Sequence, residues 1–270
     1  MALTDFQRRL CRLIADNRIA SGESYVAGGA ALNELIAGPR ISRDIDLFHD
    51  TDEAVAISWD ADRRLLERHG FQVHVGRERP SYVEAEVTAA GESVRVEWAR
   101  DSAYRFFPLV LHDELGLALH PFDLATNKVL ALVGRLEVRD WVDVIHCGEH
   151  LQPLGYLAWA ASGKDPGFGP VAIVEHAARS SRYSAAEVAA LAFAGPPPEA
   201  SELSRRWHRL LDEARQIVTV LPPDEIGTCV LARRGELFVG DANHAKRALA
   251  EGDLIFHPGC IRGALPRVIP

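Results

Sequence analysis

Tyr25-Val-Ala-Gly-Gly-Ala-Ala-Leu-Asn33, followed by Arg40-Ile-Ser-Arg-Asp-Ile-Asp-Leu-Phe48, is the stretch on which the reading of this chain turns. Residues 24–27 form a short strand that runs into Gly28-Gly29. Residues 30–36 then follow a helical pattern, stopped by Gly38-Pro39. Residues 45–49 make a second strand. On a strand, positions i and i+2 face the same side, roughly 6.6 Å apart. Asp44 and Asp46 therefore share a face, while Ile45 and Leu47 point into a core. Two acids on one face of an otherwise apolar strand repel each other unless a cation lies between them. Their hard oxygen ligands suit Mg2+ or Mn2+. Acids are also common at solvated strand ends, so an Asp-x-Asp alone says little. Gly28-Gly29 adds to it, because backbone N–H groups at such a turn can approach a phosphate with no side chain in the way. A tight strand-to-helix turn needs glycine on backbone grounds as well. Gly-Gly, a helix and an Asp-x-Asp strand in succession are much rarer than any one of them, and they put a phosphate cradle and a metal pair on neighbouring strands.

Outward from this stretch, residues 4–17 follow helical spacing behind a capping box of Thr4 and Gln7. Asp50 and Glu53 form a second capping pair, opening a long helix that ends at Gly70. Three strands follow at 71–75, 82–88 and 93–99, the last two joined through Ala90-Gly91 as a hairpin requires. Consecutive strands argue for a mixed or antiparallel sheet rather than repeated parallel βαβ units. A third carboxylate would complete a two-metal site. Glu97, in Val94-Arg-Val-Glu-Trp98, is the best candidate, with Glu84 and Glu86 behind it; an outward-facing acid on an alternating strand is the plainer alternative. Arg95 shares the face of Glu97 and could pair with it.

From Pro121 the pattern turns helical, at 122–135 and 138–150, and after a Gly-rich break at 162–170 again at 171–179. Ser184 with Glu187 caps a further helix, and Gly195-Pro196-Pro197-Pro198 is the clearest linker. A long helix at 202–218 leads to a mixed end, with a hairpin turning at Arg234-Gly235, a short helix at 244–250 and a strand at 254–257. The fold class expected is α+β: a mixed sheet with flanking helices, then a mainly helical C-terminal part. The expected division is a core at 1–118, a helical region completing the active site at 119–195, and a C-terminal helix with a small α/β segment at 196–270. Lys128 and Arg135, seven apart, share one helix face, with Leu124, Leu130 and Val133 on another; a solvated stripe of charge is the alternative. Arg139 and Asp143 have i,i+4 spacing, and Asp140 is placed to brace that helix. His49 is close enough to the Asp-x-Asp strand to reach a site rim, although a lone histidine is more often structural. Trp141, Trp159 and Trp207 read as core.

Gly-Gly-x-Ala-Leu followed by Arg-x-Ser-x-Asp-x-Asp-Leu-Phe resembles the nucleotidyltransferases of the DNA polymerase beta superfamily. More narrowly it resembles the AbiEii/MenT family of toxin-type nucleotidyltransferases. A second block, Asp123-Leu-Ala-Thr-Asn-Lys128 through Arg135 to Arg139-Asp140-Trp-Val-Asp143, is similar to that family's helical pair. The resemblance implies a nucleotidyltransferase-type fold and a catalytic set of Asp44, Asp46, Glu97, Lys128 and Asp143. Of these, Asp44, Asp46 and Glu97 would hold Mg2+ or Mn2+. Gly28, Gly29, Ser42, Lys128 and Arg135 would bind the NTP. The family often carries Lys-x-Asp on the third-carboxylate strand; here Arg95-Val-Glu97 stands in its place, with the carboxylate one methylene further out.

The chain has 270 residues, 47% hydrophobic and 25% charged, the composition of an ordinary globular protein. It lacks any run of about 18 apolar residues, so no membrane helix is expected. The charged N-terminal stretch does not read as a secretory signal. Four scattered cysteines without C-x-x-C spacing read as free thiols in a reducing cytoplasm. A net charge of −8 is not the footprint of a non-specific duplex binder. The expected activity is transfer of NMP from an NTP to an acceptor hydroxyl, with release of pyrophosphate. The resemblance implies an RNA acceptor, such as the tRNA 3′ end, or a protein, and an antitoxin partner if the chain is toxic. Two alternatives stand beside it: a small-molecule, antibiotic-type nucleotidyltransferase, and a non-catalytic nucleotide-binding module.

Overall fold

A computed structural model of the chain describes residues 3–180 and 183–267. In chain order the elements are α1 (Asp5–Ser21), β1 (Ser24–Ala27), α2 (Gly28–Leu35), β2 (Asp44–His49), α3 (Asp52–Arg68), β3 (Gln72–Arg79), β4 (Tyr82–Ala89), β5 (Glu92–Arg100), β6 (Tyr104–Arg105), β7 (Val110–His112) and β8 (Gly116–Ala118). There follow α4 (Pro121–Arg135), α5 (Val138–His150), α6 (Leu154–Lys164), α7 (Pro170–Ala177), α8 (Ala185–Ala189), α9 (Ala200–Val220), β9 (Thr228–Ala232), α10 (Ala242–Glu251), β10 (Leu254–Pro258) and β11 (Cys260–Ile261). The chain divides into two compact units. The first takes residues up to 103 with 109–120 and 192–195; the second takes 104–108, 121–191 and the chain from 196.

The first unit is built on a seven-stranded sheet in the order β3-β4-β5-β2-β1-β8-β7. It is mixed: β2 runs parallel to β5 and β1 parallel to β8, and the remaining pairs are antiparallel. The alternation in β2 and β5 decides its faces. Ile45, Leu47, Val96 and Trp98 are fully buried, and the parallel register sets Ile45 beside Val96 and Leu47 beside Trp98. This face is covered by α3, where Trp59 meets Trp98 edge-on at 4.8 Å and Asp62 accepts the Trp98 Nε1–H at 3.0 Å. Asp44, Asp46 and Glu97 lie on the opposite face. The exposed edge strand β3 ends in three charged residues, Arg77, Glu78 and Arg79, and breaks register between Val75 and Arg77, two features that disfavour pairing with another chain's edge.

The Thr4–Gln7 capping box of α1 is present as expected. The cap of α3 is Thr51, not Asp50: Thr51 has extended backbone angles and its Oγ1 accepts the Ala54 N–H at 3.1 Å. His49 faces the core rather than a site rim, because it continues the phase of Ile45 and Leu47. It is fully buried, and burial pulls its imidazole down to about 4. An unfolded histidine titrates near 6.5. Between those values the unfolded chain holds a proton that the folded chain does not. Stability should therefore fall by about 3 kcal/mol as pH drops from about 6.5 to about 4. Urea melts across that range would measure this, and His49→Gln should flatten the dependence.

The second unit is mainly helical. Trp141, Trp159 and Trp207 are in its core, as expected. Asp123 on α4 accepts the N–H groups of Phe106 and Phe107 at 2.9 and 3.0 Å and pairs with Lys164 of α6 at 2.8 Å. That buried carboxylate fastens the 104–108 segment to the helices. The hairpin expected around Arg234-Gly235 is a turn with a single bridge, Leu231 to Leu237; the full ladder of β9 is with β10. All four cysteines are free thiols, and only Cys260 is exposed. No helix among the described residues is long and apolar enough to cross a membrane.

Candidate active site

Strand β2 is the axis of the site in the first unit. Antiparallel to β1, it sets Asp46 beside Ala27; parallel to β5, it sets Asp46 beside Glu97 and Asp44 beside Arg95. On β4, Glu84 stands opposite Glu97 and Glu86 opposite Arg95. The three carboxylates expected from the sequence thus share one sheet face, with both backup acids on the next strand. Side chains of Asp44 and Glu97 are each 21% exposed.

Arg95 lies among these acids. Its Nε and Nη2 donate to the two oxygens of Asp44 at 3.1 and 2.6 Å, while Glu97 and Glu84 are at 3.5 and 3.9 Å. Its main partner is therefore Asp44, and the Glu97 contact suggested by the strand pattern is the looser one. The hydrogen bond to Asp44 is the first reason that the guanidinium is held even more firmly in its charged form than usual. Among the described residues, no three His, Cys, Asp or Glu side chains converge closely enough to hold a metal ion. The donor chemistry nonetheless fits a hard divalent cation, since three carboxylates share the face and a guanidinium already stands in as their counter-cation. Tyr82, which sequence reasoning missed, also belongs to this face. Its hydroxyl donates to Glu84 at 3.1 Å and is pushed up, first by burial and then by the charge of Glu97, so it is a donor and not a phenolate. Its alternation with Glu84 and Glu86 was the available signal.

Gly28 and Gly29 open α2 directly beside these acids. Gly28 has φ of +65°, and a Cβ there would overlap the Asp46 carboxylate. A Cβ on Gly29 would lie 2.6 Å from Arg40 Nη2 and 3.2 Å from Ser42 Oγ. The glycines are thus required both for the turn and for close approach. The N-cap residue, Ala27, offers no side-chain hydrogen bond and the first turn carries no acid, so the positive end of the helix faces the Asp46 carboxylate that lies against Gly28. Ser42 is buried, and its carbonyl accepts from Gln7 Nε2 at 2.8 Å. Arg40 was not singled out, although the Arg-x-Ser-x-Asp-x-Asp stretch contains it. It is buried in a loop tied down by Ile41 N–H to the Ala192 carbonyl and Ala194 N–H to the Pro39 carbonyl, each 2.9 Å.

The second unit carries its own charged cluster. Lys128 Nζ is 3.0 Å from Asp140 Oδ1 and 3.4 Å from Asp143 Oδ2, and Arg135 Nε reaches Asp140 Oδ2 at 2.6 Å. Lys128 and Arg135 share a helix face as the spacing predicts, but that face is turned toward α5 and Lys128 is buried. Burial pushes the Asp140 carboxyl up, but the Arg135 hydrogen bond and the Lys128 charge outweigh it and leave it below the ordinary range. Asp143 pairs with Lys128, while Arg139 pairs with Glu137 at 3.0 Å. Lys128→Met should destabilise the chain by about 3–5 kcal/mol, because it leaves two buried carboxylates short of a cation. Denaturant melts would show it, and Asp143→Asn added to Lys128→Met should recover part of the loss.

No family model and no curated protein matches this chain. Solved structures do. A Helicobacter pylori protein described as a candidate nucleotidyltransferase has 14% identity and a TM-score of 0.51, covering 79% of this chain and 95% of its own. JHP933 from Helicobacter pylori has 14% identity and a TM-score of 0.52, covering 80% and 95%. MenT4, the nucleotidyltransferase toxin Rv2826c from Mycobacterium tuberculosis H37Rv, has 16% identity and a TM-score of 0.45, covering 81% and 87%. At such identities the likeness is one of fold. The chain has a nucleotidyltransferase fold, as the two sequence blocks implied.

Proposed function

We propose that this chain is a nucleotidyltransferase that moves NMP from an NTP to an acceptor hydroxyl. The acceptor oxygen forms a bond to the α-phosphorus, the bond from that phosphorus to the β-phosphate bridge oxygen breaks, and pyrophosphate leaves. The observation that carries this reading is one continuous register. Ala27, Asp46 and Glu97 stand side by side, and Gly28, which follows Ala27, lies against the Asp46 carboxylate. The turn proposed to receive phosphate and the proposed carboxylate ligands are therefore immediate neighbours, which supports the reading.

Asp44, Asp46 and Glu97 would hold Mg2+ or Mn2+, which when bound neutralises phosphate charge and makes the acceptor hydroxyl more acidic. The chain's own groups do the positioning. Backbone N–H groups at Gly28 and Gly29 receive the triphosphate, with Ser42 and Arg40 against the same turn. Lys128, Arg135 and Asp143, which the resemblance assigns to phosphate and acid roles, form their own ion-paired cluster with Asp140 in the second unit. Orientation and fixed charge supply most of the rate.

The motif resemblance favours RNA, such as a tRNA 3′ end, as acceptor, with a protein hydroxyl second. It also favours action in the cytoplasm as a toxin held in check by an antitoxin protein. Incubation with each α-labelled NTP, Mg2+ or Mn2+ and total cellular RNA tests the acceptor. The expected product is a labelled RNA band that ribonuclease removes. Label in protein alone would move the assignment to a protein acceptor.

A further inference from the structure

The carboxylate face is not bare. Its counter-cation is covalently part of the chain, and its placement has a cost for any other cation. Arg95 takes both oxygens of Asp44 in a two-pronged hydrogen bond at 2.6 and 3.1 Å. A planar guanidinium fork matches a carboxylate in a way that a lysine ammonium cannot. While that fork is in place, both oxygens of Asp44 are engaged by the guanidinium, and its positive charge lies 3.5 Å from Glu97. Arginine does not lose its proton in proteins, so it can leave only by moving. It has somewhere to go. Its side chain is 47% exposed, Glu84 is already 3.9 Å away, and Glu86 is its cross-strand neighbour on β4.

We propose that Arg95 competes with the divalent cation for Asp44 and thereby sets how tightly the chain binds metal in the absence of nucleotide. The inference rests on the nucleotidyltransferase reading above, because it takes Asp44, Asp46 and Glu97 as the metal ligands. In the free protein Arg95 holds Asp44. When metal arrives with the negatively charged triphosphate, the guanidinium passes to Glu84 and Glu86, and Asp44 is released. Arg95 is in this account a positioning residue, and its effect is on metal affinity before any chemistry. The chain's Arg-x-Glu, in place of the more usual Lys-x-Asp, suits it: a longer fork and a longer carboxylate share one strand face.

The test is a Mn2+ titration of the full chain without nucleotide, read from the electron paramagnetic resonance signal of free Mn2+. Arg95→Ala should bind Mn2+ about tenfold more tightly than wild type, as expected from removing a unit charge within about 4 Å of the ligands at intermediate dielectric. Arg95→Gln, which removes the charge but keeps part of the stem and a polar end, should do the same and guards against a folding defect in the alanine variant. Arg79→Ala removes the same charge from the same sheet face, three strands from β2, and should change affinity less than twofold. Asp44→Asn added to Arg95→Ala should abolish the gain. Equal or weaker binding by both Arg95 variants overturns the proposal, as does a gain that survives loss of Asp44. Either result leaves the transferase reading standing if wild type binds Mn2+ together with a non-hydrolysable NTP. Absence of Mn2+ binding in every variant, even with that nucleotide, overturns both.

Discussion

Asp46→Asn should reduce nucleotidyl transfer by at least about 10³-fold while leaving the fold intact. Asp46 is the one side chain common to every part of the proposed site. It stands between Ala27 and Glu97 in the sheet and its carboxylate rests against Gly28. The amide has nearly the same shape, so the close packing against the glycine survives. What is lost is a negative charge at the point where phosphate, metal and acceptor would meet. Single-turnover transfer assays beside a thermal melt separate the two effects. Activity within tenfold of wild type in a well-folded Asp46→Asn protein would remove Asp46 from the mechanism.

Gly28→Ala should lose both stability and activity. The position has φ of +65°, where any Cβ is strained, and the added carbon would overlap the Asp46 carboxylate. Left-handed strain alone costs about 1 kcal/mol, and displacing a strand-held carboxylate raises the total to about 3 kcal/mol. Gly22→Ala is the matched control. It has nearly the same φ, +66°, with nothing within 4 Å of the new carbon. It should cost only the backbone share and leave transfer unchanged. Urea melts of both variants give the difference, which measures the contact with Asp46 directly. Equal destabilisation by the two substitutions would mean that the Gly28–Asp46 approach is not needed.

The heart of the site was legible because it is short-range. Period-two alternation put Asp44 and Asp46 on one face and Ile45, Leu47 on the other, and a glycine pair announced the turn before α2. The same phase also put His49 in the core, which nearness to the Asp-x-Asp pair had obscured. Glu97 could be chosen as an acid on a nearby strand, but its place beside Asp46 depends on parallel pairing of β2 with β5, fifty residues apart, which no local pattern encodes. The preference of Arg95 for Asp44 has the same origin. For Lys128, helical spacing correctly grouped it with Arg135, but only the packing of α5 against α4 brings Asp140 and Asp143 to meet them. Strands β6, β7 and β8 are two or three residues long, too short to show any period. At the C-terminal end a turn was visible at Arg234-Gly235, yet β9 takes β10 as its partner across an intervening helix. Turn chemistry marks where a chain reverses; it does not say which strand will be paired.

A nucleotidyltransferase breaks an NTP between its α- and β-phosphates and keeps the nucleotide. The most direct measurement uses one NTP labelled at the α-phosphate and, in parallel, at the γ-phosphate, with Mg2+ or Mn2+ and total RNA. Product is counted together with released pyrophosphate, with Asp46→Asn alongside. The expected result is α-label in the acceptor, γ-label only in pyrophosphate, one pyrophosphate per transfer, and neither signal from the variant. Transfer of γ-label, release of orthophosphate, or the same yield from Asp46→Asn as from wild type would contradict it.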